Sequence, residues 1–141
     1  MLIPHQLPQF TDEIVLIIVA AKQEGSVYRA SDGQLELIET FRIPTPHFSD
    51  NEGMPHERGK QESAAEKKIH KEYMDHFEKL FRTISVQLKP TQLYFFAPSH
   101  IAEELKRFTQ TIFRPIPAKD IAGIFTRHSP LEVLELIKQS R

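Results

Sequence analysis

The stretch that decides the fold is residues 54–88, which read MPHERGKQESAAEKKIHKEYMDHFEKLFRTISVQL. From about Glu62 onward, apolar side chains recur every three or four residues, the spacing that aligns one face of an α-helix. These positions are Ala65, Ile69, Tyr73, Phe77, Leu80, Phe81, Ile84 and Leu88. Pro90 ends the pattern, because proline cannot continue a helix. So long an apolar stripe must be covered, and in a chain of 141 residues a β-sheet is the expected partner.

Strand patterns precede this helix. Residues 13–20 are apolar and β-branched on both faces, as in a central strand covered from two sides, and 26–30 and 35–43 predict two further strands. Asp32-Gly33 between the second and third strands predicts a tight hairpin, because both residues tolerate a positive φ. These three strands are therefore expected to form an antiparallel meander.

Beyond the helix, strand and helix patterns alternate. Residues 93–97 predict a buried strand, and the helix that follows it is expected to have Ser99 as its cap. The last helix is predicted at 129–138, with Ser129 as the cap and Pro130 at the first helical position.

Two short elements are predicted between these helices. Residues 112–117 predict an edge strand, because Pro115 and Pro117 cannot donate hydrogen bonds to a central ladder. Residues 119–124 predict a single helical turn.

The order of these elements is β-β-β-loop-α-β-α-β-α, which predicts an α/β fold with residues 1–141 in a single domain. The sheet is expected to be mixed and five-stranded, an antiparallel meander plus two further strands, with helices packed on it in the ribonuclease-H-like layout. Residues 1–12 are predicted to be an extended N-terminal lead. Residues 44–61 are predicted to be a long loop, a feature that is usually either functional or disordered.

Composition excludes several classes of function. The net charge is -1, so any contact with nucleic acid needs a local basic patch. The chain has no cysteine, which excludes disulfides, cysteine–zinc sites and thiol catalysis. Its longest apolar run, 14–21, is too short to cross a bilayer, and its first residues lack the pattern of a signal peptide. We therefore expect a cytoplasmic protein with no membrane contact.

Histidines near the long helix raise the question of a metal site. His47, His56, His70 and His76 lie among several glutamates, but no His-Glu-x-x-His spacing occurs. Scattered surface histidines are the preferred interpretation, and neither a metal nor a cofactor is predicted.

Basic residues at the end of the predicted loop and along the long helix offer a second kind of site. Arg58 and Lys60, together with Lys67, Lys68, Lys71 and Lys79, can contact a phosphate backbone. Acidic residues interleave with them, so an exposed, salt-bridged helix face explains the same pattern. From composition and spacing alone, the salt-bridged face is the preferred interpretation.

Several stretches in order along the chain carry a family resemblance. They are the strand from Ile14 to Ala20, the hairpin Asp32 to Glu36, the junction Phe95-Phe96-Ala97-Pro98, and Lys119-Asp120-Ile121 followed by Ser129-Pro130. In these stretches the chain resembles the bacterial host attachment protein family, which is related to the middle domain of archaeal and eukaryotic class I release factors. The resemblance implies a fold like that middle domain.

The release-factor resemblance concentrates on residues 58–64, Arg-Gly-Lys-Gln-Glu-Ser-Ala. That family carries Gly-Gly-Gln at this place, where the glutamine backbone helps to position water on the ester of peptidyl-tRNA. Gly59 and Gln61 match the motif, whereas Lys60 replaces the second glycine and Glu62 is an extra residue. The replacement matters because glycine reaches backbone conformations that lysine does not.

The resemblance implies a non-enzymatic, translation-associated domain that binds ribosomal or transfer RNA through a release-factor-like loop, from His47 to Gln61, and through the start of the long helix. Arg58 and Lys60 are expected to contact phosphate, Gly59 to supply a turn and Gln61 to make polar contacts, with Lys67 and Lys68 nearby on the helix. One alternative is a degenerate peptidyl-tRNA hydrolase in which Gln61 still positions water. Another is a protein-interaction module or homodimer that uses the sheet edge near 112–117.

Overall fold

A mixed β-sheet lies at the centre of the molecule. The computed structural model describes residues 1–45 and 55–141, and the side chains of residues 1–45 and 64–141. Within this part of the chain there are five strands and three helices. Their bounds are β1 Val15–Ala21, β2 Glu24–Ser31, β3 Gln34–Arg42, α1 Pro55–Gln87, β4 Gln92–Ala97, α2 Ser99–Ile112, β5 Ala118–Ala122 and α3 Pro130–Ser140.

The strands lie in the order β3-β2-β1-β4-β5. β1 pairs antiparallel with β2, and β2 pairs antiparallel with β3, which is the predicted meander. β4 is parallel to β1 and to β5, so the sheet is mixed. The predicted α/β class with a five-stranded mixed sheet is confirmed. The hairpin between β2 and β3 is also as predicted, with φ of 45° at Asp32 and 78° at Gly33.

Two apolar layers cover the two faces of the sheet. All seven residues of β1 are buried, as expected of a central strand. On one face, Leu16 and Ile18 pack with the apolar sides of α1 and α2. On the other face, Ile17 packs with α3 and with the N-terminal segment, whose buried side chains are Ile3, Leu7 and Phe10. Sequence pattern and packing agree here, because a strand buried on both sides needs no polar alternation.

The long helix α1 is anchored by aromatic side chains. Tyr73 and Phe77 have ring centroids 5.1 Å apart, and Phe77 and Phe81 have theirs 5.6 Å apart. Gly25 on β2 makes room for Phe77, since a Cβ atom there would lie 2.5 Å from Cζ of Phe77. The four-residue spacing of the three aromatics places them along one side of the helix. This side of α1 therefore fixes the helix to the sheet.

The start of α1 differs from the prediction. The helix begins at Pro55, seven residues before the predicted start at Glu62, so residues 55–61 of the predicted loop are helical. Proline at the first helical position accounts for this start, because its missing N–H would be unpaired there anyway. The rest of that loop from residue 46 to 54, including His47, lies outside the described residues.

Three expectations for the second half of the chain were wrong. β5 spans Ala118–Ala122, so the edge strand is not at 112–117 and residues 119–122 are not a helical turn. Prolines at 115 and 117 explain the shift, since regular pairing with β4 begins only after them. The N-cap of α2 is Pro98 rather than Ser99, and no side-chain hydrogen bond caps this helix.

Candidate functional site

All six predicted contact residues lie on one helix, α1. Arg58, Gly59, Lys60 and Gln61 belong to its second turn, and their side chains are outside the described set. Lys67 and Lys68 follow about two turns later, and both are exposed. The structure thus places these residues along a helix rather than at the tip of a loop.

The helical backbone changes what Gln61 can do. It is the seventh residue of α1, and in an α-helix every amide beyond the first turn donates to the carbonyl four residues earlier. The backbone N–H of Gln61 is therefore used by the helix. The expected turn at Gly59 is absent for the same reason, and a glycine inside a helix costs about 1 kcal/mol relative to alanine.

Burial divides α1 into two parts. In the region where side chains are described, the first buried residue of α1 is Ile69, and Ala64, Lys67 and Lys68 before it are exposed. From Ile69 onward, one side of the helix enters the apolar layer over the sheet. We call residues 58–68 the basic end of α1, because they contain four basic and two acidic residues.

A cleft of about 710 Å³ opens between α1 and α2. Its walls include Ala65, Ile69 and Tyr73 from α1, and Pro98 and Ile101 from the start of α2. We call it the α1–α2 cleft. It lies beside the carboxyl ends of β1 and β4, where ligands commonly bind in open α/β sheets. Sequence reasoning did not find it, because its residues come from separate elements and form no motif.

The inner surface of the cleft is apolar. Ile69, Tyr73 and Ile101 are buried and line it. The hydroxyl of Tyr73 donates a hydrogen bond to the carbonyl oxygen of Glu24 at 2.5 Å, so this polar group already has a partner within the protein. Burial raises the pKa of Tyr73 above its ordinary value, which keeps the phenol neutral.

The mouth of the cleft is polar. Lys22, Glu66 and His100 line it and are exposed. His70 also lines the cleft, but its Nε2 atom lies 2.9 Å from a carboxylate oxygen of Glu104 on α2. That contact ties α1 to α2 at the side of the cleft.

A second histidine–glutamate contact joins α1 to the sheet. Nε2 of His76 lies 2.5 Å from Oε2 of Glu39 on β3, and its ring centroid is 3.9 Å from that of Phe41. These contacts account for His70 and His76 as residues that position α1. In residues 1–45 and 64–141, no group of three or more histidine, aspartate or glutamate side chains is arranged to hold a metal ion.

Among the helices that the structure describes, none is both long and apolar enough to cross a membrane.

Comparisons with known proteins give limited similarity. No protein-family model matches the chain, and a search of curated proteins found no match. A solved structure of an archaeal translation termination factor, aRF1, is similar over 91% of this chain with 13% identity and a TM-score of 0.47. A second structure, titled only as an archaeal protein, covers 89% of the chain with 15% identity and a TM-score of 0.40.

This chain spans about a third of each of those proteins, 35% of the termination factor and 34% of the second. The chain is thus weakly similar in structure to an archaeal release factor. Membership of the host attachment protein family has no support from a family model and stays a prediction.

Proposed function

We propose that this chain is a non-enzymatic domain that binds ribosomal or transfer RNA through the basic end of α1. The observation that carries the proposal is the division of α1 at Ile69. Beyond this residue the helix is packed on the sheet, whereas Lys67 and Lys68 before it are exposed. Exposed lysines on a rigid helix can follow a phosphate backbone, which supplies most of the affinity of non-specific RNA binding.

Spacing along α1 supports a continuous contact. Positions 60, 67 and 71 are all lysines, and seven residues make about two helical turns. These positions therefore fall on one side of the helix. Since the whole chain has a net charge of -1, attraction to RNA has to come from such a local stripe.

The choice of translation RNA rests on the sequence resemblance around Gly59-Lys60-Gln61. A hydrolytic role is less favoured, because the mechanism of the resembled family uses the glutamine backbone. In this chain Gln61 lies inside α1, where its backbone N–H donates a hydrogen bond within the helix. We therefore propose binding without catalysis.

Co-sedimentation with purified ribosomes tests the proposal. The test variant is Lys67→Ala with Lys68→Ala, and a second variant is Arg58→Ala with Lys60→Ala. The matched control is Lys79→Ala with Arg82→Ala, which removes the same charge from the exposed side of the packed half of α1. We expect the first two variants to sediment less than the wild type, and the control to sediment like it.

Two further measurements are the salt dependence of co-sedimentation and an assay of peptide release. Raising salt should weaken the co-sedimentation of the wild type, because counterion release drives phosphate contacts. Equal loss in the control and test variants would contradict a site at the basic end of α1. Release of peptide from ribosomes carrying peptidyl-tRNA by the wild type, and not by Gln61→Gly, would contradict a non-enzymatic role.

A further inference from the structure

We propose that the α1–α2 cleft binds the base of one unstacked nucleotide of the RNA that lies along α1, an inference that rests on the proposed function. The cleft and the basic end share the same helix. Ala65 and His70 line the cleft, and each has a lysine three positions away, Lys68 and Lys67 respectively, as its neighbour on the surface of the helix. A strand whose phosphates contact these lysines therefore passes beside the mouth of the cleft.

The size of the cleft and the character of its inner surface fit a small organic group. The volume of about 710 Å³ lies within the range of roughly 300–1,000 Å³ that is typical of ligand pockets. An inner surface of Ile69, Ile101 and the ring of Tyr73 offers apolar contact to a flat group. Single-stranded RNA is commonly recognised in this way, with unstacked bases placed against protein side chains.

The polar groups at the mouth select among ligand classes. Lys22 is a donor, Glu66 is an acceptor, and His100 serves as either according to its tautomer. An aliphatic ligand would leave these groups unused, and a phosphate alone would leave the apolar inner surface in water. A nucleobase satisfies both parts, because its faces are apolar and its edges carry donors and acceptors.

Two polar side chains of the cleft, the buried Tyr73 and the half-buried His70, are already paired within the protein. The Tyr73 hydroxyl donates to the backbone of Glu24, and His70 contacts Glu104. A base entering the cleft therefore meets ring and aliphatic surface in its interior and hydrogen-bonding groups only at its mouth. This arrangement predicts recognition of any base, with little dependence on sequence.

The test compares two probes, a single-stranded RNA of about eight nucleotides and an abasic strand with the same number of phosphates. The wild type should bind the RNA about tenfold more tightly than the abasic strand, since stacking of a base adds to the phosphate contacts. Ala65→Trp, which fills the cleft from its wall, should remove this preference, so that the variant binds the RNA no more tightly than the abasic strand. Val86→Trp, at an exposed apolar position near the other end of α1, is the control and should keep the preference.

The outcomes separate the two proposals. Equal affinity of the wild type for both probes, or an unchanged preference in a folded Ala65→Trp variant, overturns the cleft as a base site and leaves RNA binding by α1 standing. Failure of the wild type to bind either probe at low salt overturns both. If Ala65→Trp does not fold by circular dichroism, Ala65→Leu provides a smaller obstruction and should reduce the preference in part.

Discussion

At the scale of single residues, Gly25 sets how closely α1 approaches the sheet. A Cβ atom at this position would lie 2.5 Å from Cζ of Phe77 and 2.7 Å from Cε1 of Phe41. Both neighbours belong to the apolar layer under α1, so little free space is available for a shift.

We expect Gly25→Ala to lower the free energy of unfolding by about 1–3 kcal/mol, the usual cost of overpacking a core. Denaturant unfolding measures this change. Phe77→Leu removes the ring from this contact. In a Phe77→Leu background, Gly25→Ala should therefore lower the free energy of unfolding by less than it does in the wild type. An alanine that costs nothing in the wild-type background would contradict this close approach.

Tyr73 is a second residue whose environment has a measurable consequence. Burial raises its pKa above the ordinary value of 10.0, so the folded state favours the neutral phenol. A pKa that is higher in the folded state stabilises the protein fully below the unfolded pKa, and this contribution is lost as the pH rises above it.

Tyr73→Phe should therefore be less stable than the wild type by about 1 kcal/mol near neutral pH, because the carbonyl of Glu24 loses its donor. This difference in the free energy of unfolding should shrink as the pH rises above about 10, because only the wild type has a phenol whose stabilising effect is lost there. Denaturant unfolding of both proteins near pH 8 and above pH 10 measures it. A difference that stays constant over this range would contradict the assignment.

At the scale of elements, α3 illustrates a local signal that sequence and structure share. The side chain of Ser129 accepts a hydrogen bond from the backbone N–H of Glu132, and the Glu132 side chain accepts one from the backbone N–H of Ser129. This capping box was predicted in part from Ser129 and Pro130. The hydrogen bonds from Ser129 hold the pKa of Glu132 below its ordinary value.

Ser129→Ala should lower the free energy of unfolding by about 1 kcal/mol, as loss of a helix cap usually does. Ser99→Ala is the matched control, since Ser99 begins α2 without a side-chain cap bond, and it should change stability little. The lowered pKa of Glu132 stabilises the folded state at pH values above the ordinary pKa of a glutamate, and this stabilisation should be lost as the pH falls below it. Equal effects of the two alanines in denaturant unfolding would contradict this difference.

Local patterns determined most of the elements, and long-range pairing determined the rest. The buried β1 strand, the Asp32-Gly33 hairpin and the apolar side of α1 are each encoded by neighbouring residues. The position of β5 is not, because pairing with β4 selects Ala118–Ala122 from a stretch with weak local preference. The early start of α1 at Pro55 was missed because polar residues there show no helical periodicity.

The candidate site was less predictable than the fold. Lys67 and Lys68 could be identified from sequence as exposed positions of a helix, because they lie between apolar positions that are four residues apart, Ala65 and Ile69. The α1–α2 cleft could not, since it exists only after Lys22, Ala65 and His100 are brought together by three different elements. Such a site depends on tertiary packing rather than on local pattern.

At the scale of the whole molecule, α1 serves as both a structural and a binding element. Its packed half is joined to β3 through His76 and Glu39, and to α2 through His70 and Glu104. The basic end precedes these contacts on the same helix. A rigid helix of about 50 Å thus places the proposed contact residues at a fixed register relative to the sheet.

The most direct measurement is the salt dependence of binding to purified transfer RNA or ribosomal RNA, for the wild type and for Lys67→Ala with Lys68→Ala. If both lysines contact phosphate, the slope of log Kobs against log salt should become shallower by about 1.4–1.8, since each phosphate contact contributes about 0.7–0.9. Lys79→Ala with Arg82→Ala should keep the wild-type slope. A slope that is unchanged by loss of Lys67 and Lys68, or no binding by the wild type at low salt, would contradict the account.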